Sequence, residues 1–287
     1  MKIIWKNFSP VQKFLIALYG VCVIWILIVF VFNLRDTTFN YLYSVPLTII
    51  PLFGGIFGIK LWRSWQISNF LAKAILVLSC GLISFGIGLG IFAYYNLILN
   101  VPVPYPSLAD LGFLPSYPLW MIGLVYLLGI TGIKLQLKKI TGKMMLFSLT
   151  LLAVVSSHYL FFIVAREGQI DFKADAVKLF LDLVYPISDI IILTLTLFLI
   201  YGLSFDPQDS KIKTGVVTIL LAFIVNYMAD FGFSYSTTVG TYFVGNWADF
   251  LFATSMFLLS FGVNSLDHDR NKGDVSLAIH STLYKTE

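Results

Sequence analysis

The chain has 287 residues, of which 58% are hydrophobic and 12% are charged, whereas a soluble domain carries about 25% charged residues. Its mean hydropathy is +0.87. So few charges cannot cover the surface of a soluble globule of this size, which excludes a disordered chain, a nucleic-acid binder and an ordinary cytosolic enzyme. The formal net charge of +4 and the two cysteines indicate neither an acidic partner nor a disulfide framework.

Apolar residues are concentrated in runs about as long as a bilayer is thick, since a helix needs about 20 of them to cross it. We predict an all-α fold, a polytopic membrane helix bundle with eight transmembrane helices. The spans are 14–32, 45–62, 74–98, 108–133, 144–165, 176–203, 215–233 and 246–264. Together they form one domain over residues 1–264, followed by a short polar tail over residues 265–287. No cleavage motif follows the first span, so we expect it to remain rather than to be removed as a signal peptide.

Basic residues fall mainly on one side of this predicted bundle. Of the 19 lysines and arginines, 15 lie in the N-terminal segment, the 2–3, 4–5 and 6–7 loops and the tail; the other side has Arg35, Arg166, Lys173 and Lys178. Cytoplasmic loops of membrane proteins carry the excess of positive charge. We therefore expect a cell (inner) membrane protein with both termini in the cytoplasm.

Short sequence patterns indicate how the helices are arranged. Gly54 and Gly58 are four residues apart, as are Gly86 and Gly90, in the pattern that lets membrane helices approach closely. The form A-D-[LF]-x-F occurs at 109–113, 229–233 and 248–252, and Tyr-Pro occurs at 117–118 and 185–186. These echoes suggest repeated helical hairpins of spans 3–4, 5–6 and 7–8.

Five aspartates lie within the predicted spans, all in the expected outer half or at the centre: Asp110, Asp182, Asp189, Asp230 and Asp249. A carboxylate inside a membrane helix costs about 2.5–3.5 kcal/mol on insertion, so it usually faces the bundle interior and often marks function. We expect an acidic pocket that opens outward and holds a proton, a cation or a polar ligand with several hydroxyl or amine donors. No buried cation is predicted to balance it, so some of the aspartates are expected to be neutral.

The strongest local signal is in the sixth span. Asp182, Tyr185 and Asp189 are spaced i, i+3, i+7 and share one helix face, and Pro186 removes a backbone donor from the same helix. The alternative is a purely structural hydrogen-bond network on that face.

The other three aspartates differ in their expected surroundings. Asp110 and Asp249 follow Ser107 and Asn246 by three residues, as in a capping box, so each is interpreted either as part of a helix cap or as a ligand-binding residue. Asp230 is placed at the C-terminal end of the seventh span, where the helix dipole disfavours an anion. It is therefore expected to be protonated or paired.

Further candidate ligand-binding residues are Asn226, one turn before Asp230, and His158, the only histidine in a span; Ser188, Tyr227 and Trp247 are plausible neighbours. His158 is read either as a packed hydrogen-bonding residue or as a proton relay. The three histidines form no zinc-binding motif, and phosphate-binding loops and nucleophile elbows are missing. No cofactor, catalytic or metal-binding residue is therefore predicted.

Three ordered motifs resemble a known family. They are PSLADL at 106–111 with Tyr-Pro-Leu at 117–119, LVYPISD at 183–189, and NWAD at 246–249 with Gly262. Together they are similar to the P-S-x-A-D…Y-P-L, L-x-Y-P-x-x-D and final-span segments of the N-terminal multi-spanning membrane domain of many bacterial diguanylate cyclases. The resemblance covers residues 100–264 and implies a membrane sensor whose signal is undefined. Here we expect no output domain, so that signalling would need a separate protein.

Four hypotheses follow. The first is a sensor-like or ligand-binding module, in which a proton or small ligand shifts helices at Pro118 and Pro186. The second is a proton- or cation-coupled transporter. The predicted inner half of the bundle lacks ionisable residues to complete a path, which counts against this hypothesis. The third is an intramembrane lipid-modifying enzyme using aspartate and His158 as acid and base. The fourth is an accessory subunit of a membrane complex. The expected partners are membrane lipids and either a proton, a cation or a small ligand, without nucleic acid.

Overall fold

The structure is a computed structural model and describes residues 8–35, 37–65, 69–130, 139–164, 176–203 and 210–266. In these ranges the chain is helical and has no strand, which confirms the predicted fold class. The helices are α1 (Pro10–Val31), α2 (Thr38–Tyr41), α3 (Ser44–Trp62), α4 (Phe70–Tyr94), α5 (Asp110–Leu128), α6 (Ile140–Ser157), α7 (Ala176–Leu203), α8 (Ser210–Thr238) and α9 (Trp247–Val263). π-Helical turns over Tyr95–Leu99 and His158–Val164 extend α4 and α6.

Seven segments are long and apolar enough to cross a membrane, and α9 is an apolar helix of 17 residues. At 1.5 Å per residue α9 is about 26 Å long, near the lower limit for a span. The protein is therefore a multi-pass membrane protein. Many of the basic residues on which the predicted orientation depends lie outside the described residues, in 1–7, 131–138, 165–175 and 267–287. The ends of two predicted spans and most of the tail also lie outside them.

Several helices begin or end away from the predicted span limits because polar residues are helical too. α1 begins at Pro10, since Ser9 and Gln12 form a capping box before the apolar run. α8 continues to Thr238, and hydroxyls of its last turns bond to carbonyls four residues earlier, as Thr237 Oγ1 does to Phe233 at 2.8 Å. Asp230 therefore lies two turns inside its helix, rather than at the C-terminal end where the sequence placed it.

The helices pack as a ring with two outlying members. Around the ring each helix contacts the next, in the order α3, α4, α5, α7, α8 and α9, and α9 contacts α3 to close it. α1 lies outside this ring against α3 and α9, and α6 packs against α7. The pairs α4–α5, α6–α7 and α8–α9 are the predicted hairpins. We call the end of the ring where α5, α7 and α9 begin the acidic end, because Asp110, Asp182 and Asp249 lie there; the opposite end is the basic end.

Aromatic side chains from four helices fill the middle of the ring. The ring of Trp120 on α5 lies 5.3 Å from Phe85 on α4 and 5.7 Å from Phe223 on α8, measured between centroids. Phe252 on α9 lies 6.0 Å from Phe85. Trp120 and Phe223 are almost fully buried. This aromatic core fixes the positions of Tyr117 and Asn226, which are each one turn away along the same helices.

Glycines let α3 approach its neighbours without side chains between the backbones. A methyl group added at Gly54 would overlap Ser260 on α9, and one added at Gly58 would overlap Ser79 on α4. Gly90, by contrast, has only a methyl carbon of Thr48 nearby, at 3.6 Å from the added carbon. The predicted close contact is therefore present at Gly54 and Gly58 and relaxed at Gly90.

Candidate functional site

Two aspartates from neighbouring helices meet inside the ring. Asp189 on α7 and Asp230 on α8 are in hydrogen-bonding contact through their carboxyl groups, and Asp189 is only 3% exposed. Two carboxylates have no hydrogen to share, so this contact requires a proton on one of them. We call Asp189 and Asp230 the carboxyl pair.

Neutral side chains of its own helix and of α5 hold Asp230. Asn226 Nδ2, one turn earlier on α8, donates to Asp230 Oδ2 at 2.6 Å, and the hydroxyl of Tyr117 on α5 donates to the same carboxyl group. Ser255 Oγ on α9 donates to Asn226 Oδ1 at 3.2 Å. The carboxyl pair is thus bonded to α5 and, through Asn226, to α9. Its hydrogen bonds therefore connect four helices, α5, α7, α8 and α9.

One oxygen of the pair accepts no hydrogen bond from an N–H or O–H group of the described residues. Asp189 Oδ2 is buried and accepts no hydrogen bond from the residues that the structure describes. A buried polar atom of this kind is costly unless something bonds to it. Asp189 Oδ2 is therefore the oxygen of the pair that either carries a proton or accepts a hydrogen bond from a bound molecule.

Two further aspartates form bonds closer to the acidic end. Tyr185 Oη donates to Asp110 Oδ1 at 2.6 Å, and the backbone N–H of Ser107 donates to Asp110 Oδ2 at 2.8 Å. Tyr105 Oη donates to Asp182 Oδ1 at 3.0 Å. Asp110 thus accepts the N–H of Ser107, which is one half of the predicted capping box, but α5 begins with Ala109 as its N-cap and has no side-chain cap. Asp110 also binds α7 through Tyr185.

The two levels are connected by tyrosine rings. The ring of Tyr185, bonded to Asp110, lies 5.4 Å from that of Tyr117, measured between centroids, and Tyr117 is bonded to Asp230. Two hydrogen bonds and one contact between tyrosine rings therefore connect Asp110 at the acidic end with Asp230 in the carboxyl pair.

Asp249 belongs to a separate centre at the N-terminus of α9. Its Oδ2 accepts the N–H of Gly245 at 2.6 Å, and both its oxygens lie within 3.3 Å of the Tyr242 hydroxyl. Asn246 caps α9 by accepting from the N–H groups of Ala248 and Asp249, which confirms the predicted cap. Burial beside the Asp249 carboxylate raises the pKa of Tyr242, in the loop before α9, well above its ordinary value.

The remaining predicted residues have varied positions. The His158 side chain is exposed on the π-helical turn after α6, with its ring 5.8 Å from that of Phe162. Tyr227 Oη lies 3.0 Å from Ser157 Oγ and joins α8 to α6. Ser188 is buried beside Asp189, whereas Trp247 is 43% exposed and covers Gly232. His158 has no described contact with the carboxyl pair.

Sequence reasoning did not assign Tyr117, Tyr105, Ser255 or Tyr242 to any site. A signal for Tyr117 was present, because the Tyr-Pro echo at 117–118 and 185–186 marks the two tyrosines that bind Asp230 and Asp110. The hydroxyls of Ser255 and Tyr242 have no comparable sequence signal, since their partners depend on how the helices and loops pack.

The arrangement favours hydrogen bonding over metal binding in the part of the chain described. There, no three histidine, cysteine, aspartate or glutamate side chains converge as a metal site would require. No family model, curated protein or solved structure matches this chain.

Proposed function

We propose that this membrane protein is a sensor-like, ligand-binding module whose receptor site is the carboxyl pair. The observation that carries the proposal is the buried Asp189 Oδ2 beside Asp230, which accepts no hydrogen bond from a described N–H or O–H group. A proton or a ligand O–H or N–H group satisfies that oxygen, so the site selects a proton or a small molecule with hydrogen-bond donors. The resemblance of 100–264 to cyclase-linked sensor domains supports the same assignment.

The response follows from what the pair connects. Occupying Asp189 Oδ2 changes the hydrogen bond between Asp189 and Asp230 and so the packing of α7 against α8. Pro118 and Pro186 lie inside α5 and α7, next to Tyr117 and Tyr185, and each removes a backbone donor from its helix. We propose that these two positions take up the resulting helix shift, which a separate cytoplasmic protein then detects.

Topology is part of the proposal. With both termini in the cytoplasm of a cell membrane, as the basic residues favour, the acidic end faces outward. The ligand then enters past Tyr105 and Tyr185, and the shift is detected at the basic end.

A distance measurement between α7 and α8 tests the site. Ile187 and Met228 are about half exposed and accept spin labels after Cys22 and Cys80 are replaced by alanine. We expect the distance distribution in lipid nanodiscs to change between pH 5 and pH 8, and Asp189→Asn and Asp230→Asn to abolish the change. Asp182→Asn is the control, because it removes a carboxylate bonded to Tyr105 outside the pair. An unchanged distribution in the parent protein, or an unaltered response in both pair variants, contradicts the proposal.

A proton-coupled transporter is a second candidate, favoured by one observation. Thr196, two turns beyond Asp189 on α7 toward the basic end, is fully buried and its Oγ1 has no partner among the described residues. Polar groups on α7 thus continue past the pair. Flux into proteoliposomes that follows a pH gradient and is lost in Asp189→Asn supports transport, whereas a helix shift without flux supports the sensor.

A further inference from the structure

A second group of buried polar atoms lies apart from the carboxyl pair, on the short helix α2 and in the turn that follows it. Asn40 and Tyr43 are three residues apart and both are 0% exposed. Thr37 caps α2 by accepting from the Asn40 backbone N–H at 3.2 Å, so the backbone here is satisfied. The side chains are not: Asn40 Nδ2, Asn40 Oδ1 and the Tyr43 hydroxyl have no hydrogen-bond partner among the described residues.

These two side chains meet beneath the loop that precedes α9. A carbon added at Gly245 would lie 2.9 Å from Asn40 Oδ1 and 3.7 Å from the Tyr43 ring, so the loop closes over both with only a glycine in between. Gly245 has φ +77°, a conformation that other residues rarely adopt. Its N–H donates to Asp249, and Asp249 also acts electrostatically on Tyr43. Asn40, Tyr43 and Asp249 therefore all lie next to Gly245.

A third unpartnered side chain lies on a neighbouring element. Asn96 Nδ2 is buried without a partner, on the π-helical turn Tyr95–Leu99 that packs against α2. Buried amides and hydroxyls in folded proteins are almost always bonded, to protein or to an ordered molecule. Several unpartnered groups on adjoining elements therefore indicate a bound molecule rather than a single packing defect.

The chemistry of the free atoms selects the class of guest. Asn40 offers both donors and an acceptor, and the Tyr43 hydroxyl offers one of each. An anion would be repelled by Asp249, and the Asp249 oxygens that would bind a cation already accept hydrogen bonds from Gly245 and Tyr242. A hydroxyl group donates and accepts at one atom and satisfies both kinds of free group.

We propose that Asn40 and Tyr43, with Asp249 at the edge, form a second binding site that holds hydroxyl groups, either of ordered water or of a small hydroxylated molecule. This inference does not rest on the function proposed for the carboxyl pair.

Substitutions of similar shape separate a filled site from an empty one. Asn40→Leu and Tyr43→Phe delete only the free polar atoms. If a guest is bound, each variant loses its bonds and the thermal midpoint in detergent falls by about 2–4 °C. If the site is empty, removal of unpartnered buried atoms leaves the midpoint unchanged or raises it. Thr196→Val, which deletes another unpartnered hydroxyl outside this group, is the control and is expected not to lower it.

Two measurements on the full-length protein identify the guest. Radiolytic labelling in H2 18O modifies a buried side chain only where ordered water adjoins it, so labelling of Tyr43 that is lost in Asn40→Leu indicates water. Native mass spectrometry that finds a retained small molecule in the parent and not in Asn40→Leu indicates a hydroxylated ligand. A midpoint that does not fall, or that falls while both measurements find no guest, overturns the proposal.

Discussion

The most informative perturbation is Asp189→Asn, because it distinguishes a carboxyl pair that shares a proton from two ionised carboxylates. An asparagine has nearly the shape of a protonated aspartate and donates a hydrogen bond from its amide. If the pair already contains a proton, the variant keeps the bond to Asp230. The free energy of unfolding should then change by no more than about 1 kcal/mol, in the range of measured hydrogen-bond couplings in membrane proteins.

If both carboxyl groups are ionised, Asp189→Asn changes the free energy of unfolding by a different amount. Unit charges about 4 Å apart repel by about 4 kcal/mol at an effective dielectric constant of about 20. Asp189→Asn would remove that repulsion and stabilise the protein by several kcal/mol. Asp189→Leu, which cannot bond to Asp230, is the matched variant; it should lower stability by about 1–2 kcal/mol.

The assay is reversible unfolding in mixed detergent micelles at neutral pH, together with infrared absorption of protonated carboxyl groups. We expect the infrared band to decrease in both Asp189→Asn and Asp230→Asn. Stabilisation of Asp189→Asn by more than about 3 kcal/mol, with no loss of the band, would refute a shared proton and with it the geometry on which the receptor site depends.

Three other predictions test the fold around the site. Gly54→Ala should destabilise by about 1–3 kcal/mol because its methyl group overlaps Ser260; Ser260→Gly should restore stability in the double variant, and Gly90→Ala, the control, should have little effect. Asn246→Ala should cost about 1 kcal/mol through loss of the α9 cap, measured as the unfolding midpoint, with Asn246→Asp close to the parent. The pKa of Tyr242 is raised in the folded protein, so its contribution to stability is complete below pH 10 and is lost as the pH rises further. In an absorbance titration of tyrosinate, Tyr242→Phe should therefore have one tyrosine fewer than the parent among those that ionise above pH 10. The same number in both proteins would contradict the raised pKa of Tyr242.

The sequence was sufficient for the spans and for local contacts along one helix. Length and hydropathy are properties of a continuous segment, so α7 occupies the predicted 176–203. The Asn246 cap and the Asp110 contact with Ser107 involve residues three apart, and spacing alone predicts them. Gly54 and Gly58 follow a spacing rule in the same way.

Contacts between helices could not be obtained from spacing. The meeting of Asp189 with Asp230 depends on how α7 and α8 are rotated about their axes, and one residue of rotation turns a side chain by about 100°. The same is true of Tyr117, whose hydroxyl reaches α8. Asp249 looked equivalent to Asp110 in sequence, yet the loop over Gly245 holds it in a centre of its own.

The ring contacts described for α9 have a consequence for biogenesis. This helix is the last one among the described residues, and it contacts α1, α3, α4 and α8. Without α9 the ring is an open arc, in which Gly54 lacks its neighbour Ser260 and Asn226 lacks its bond from Ser255. The polar contacts around Asp230 are therefore complete only once α9 has packed against α3 and α8.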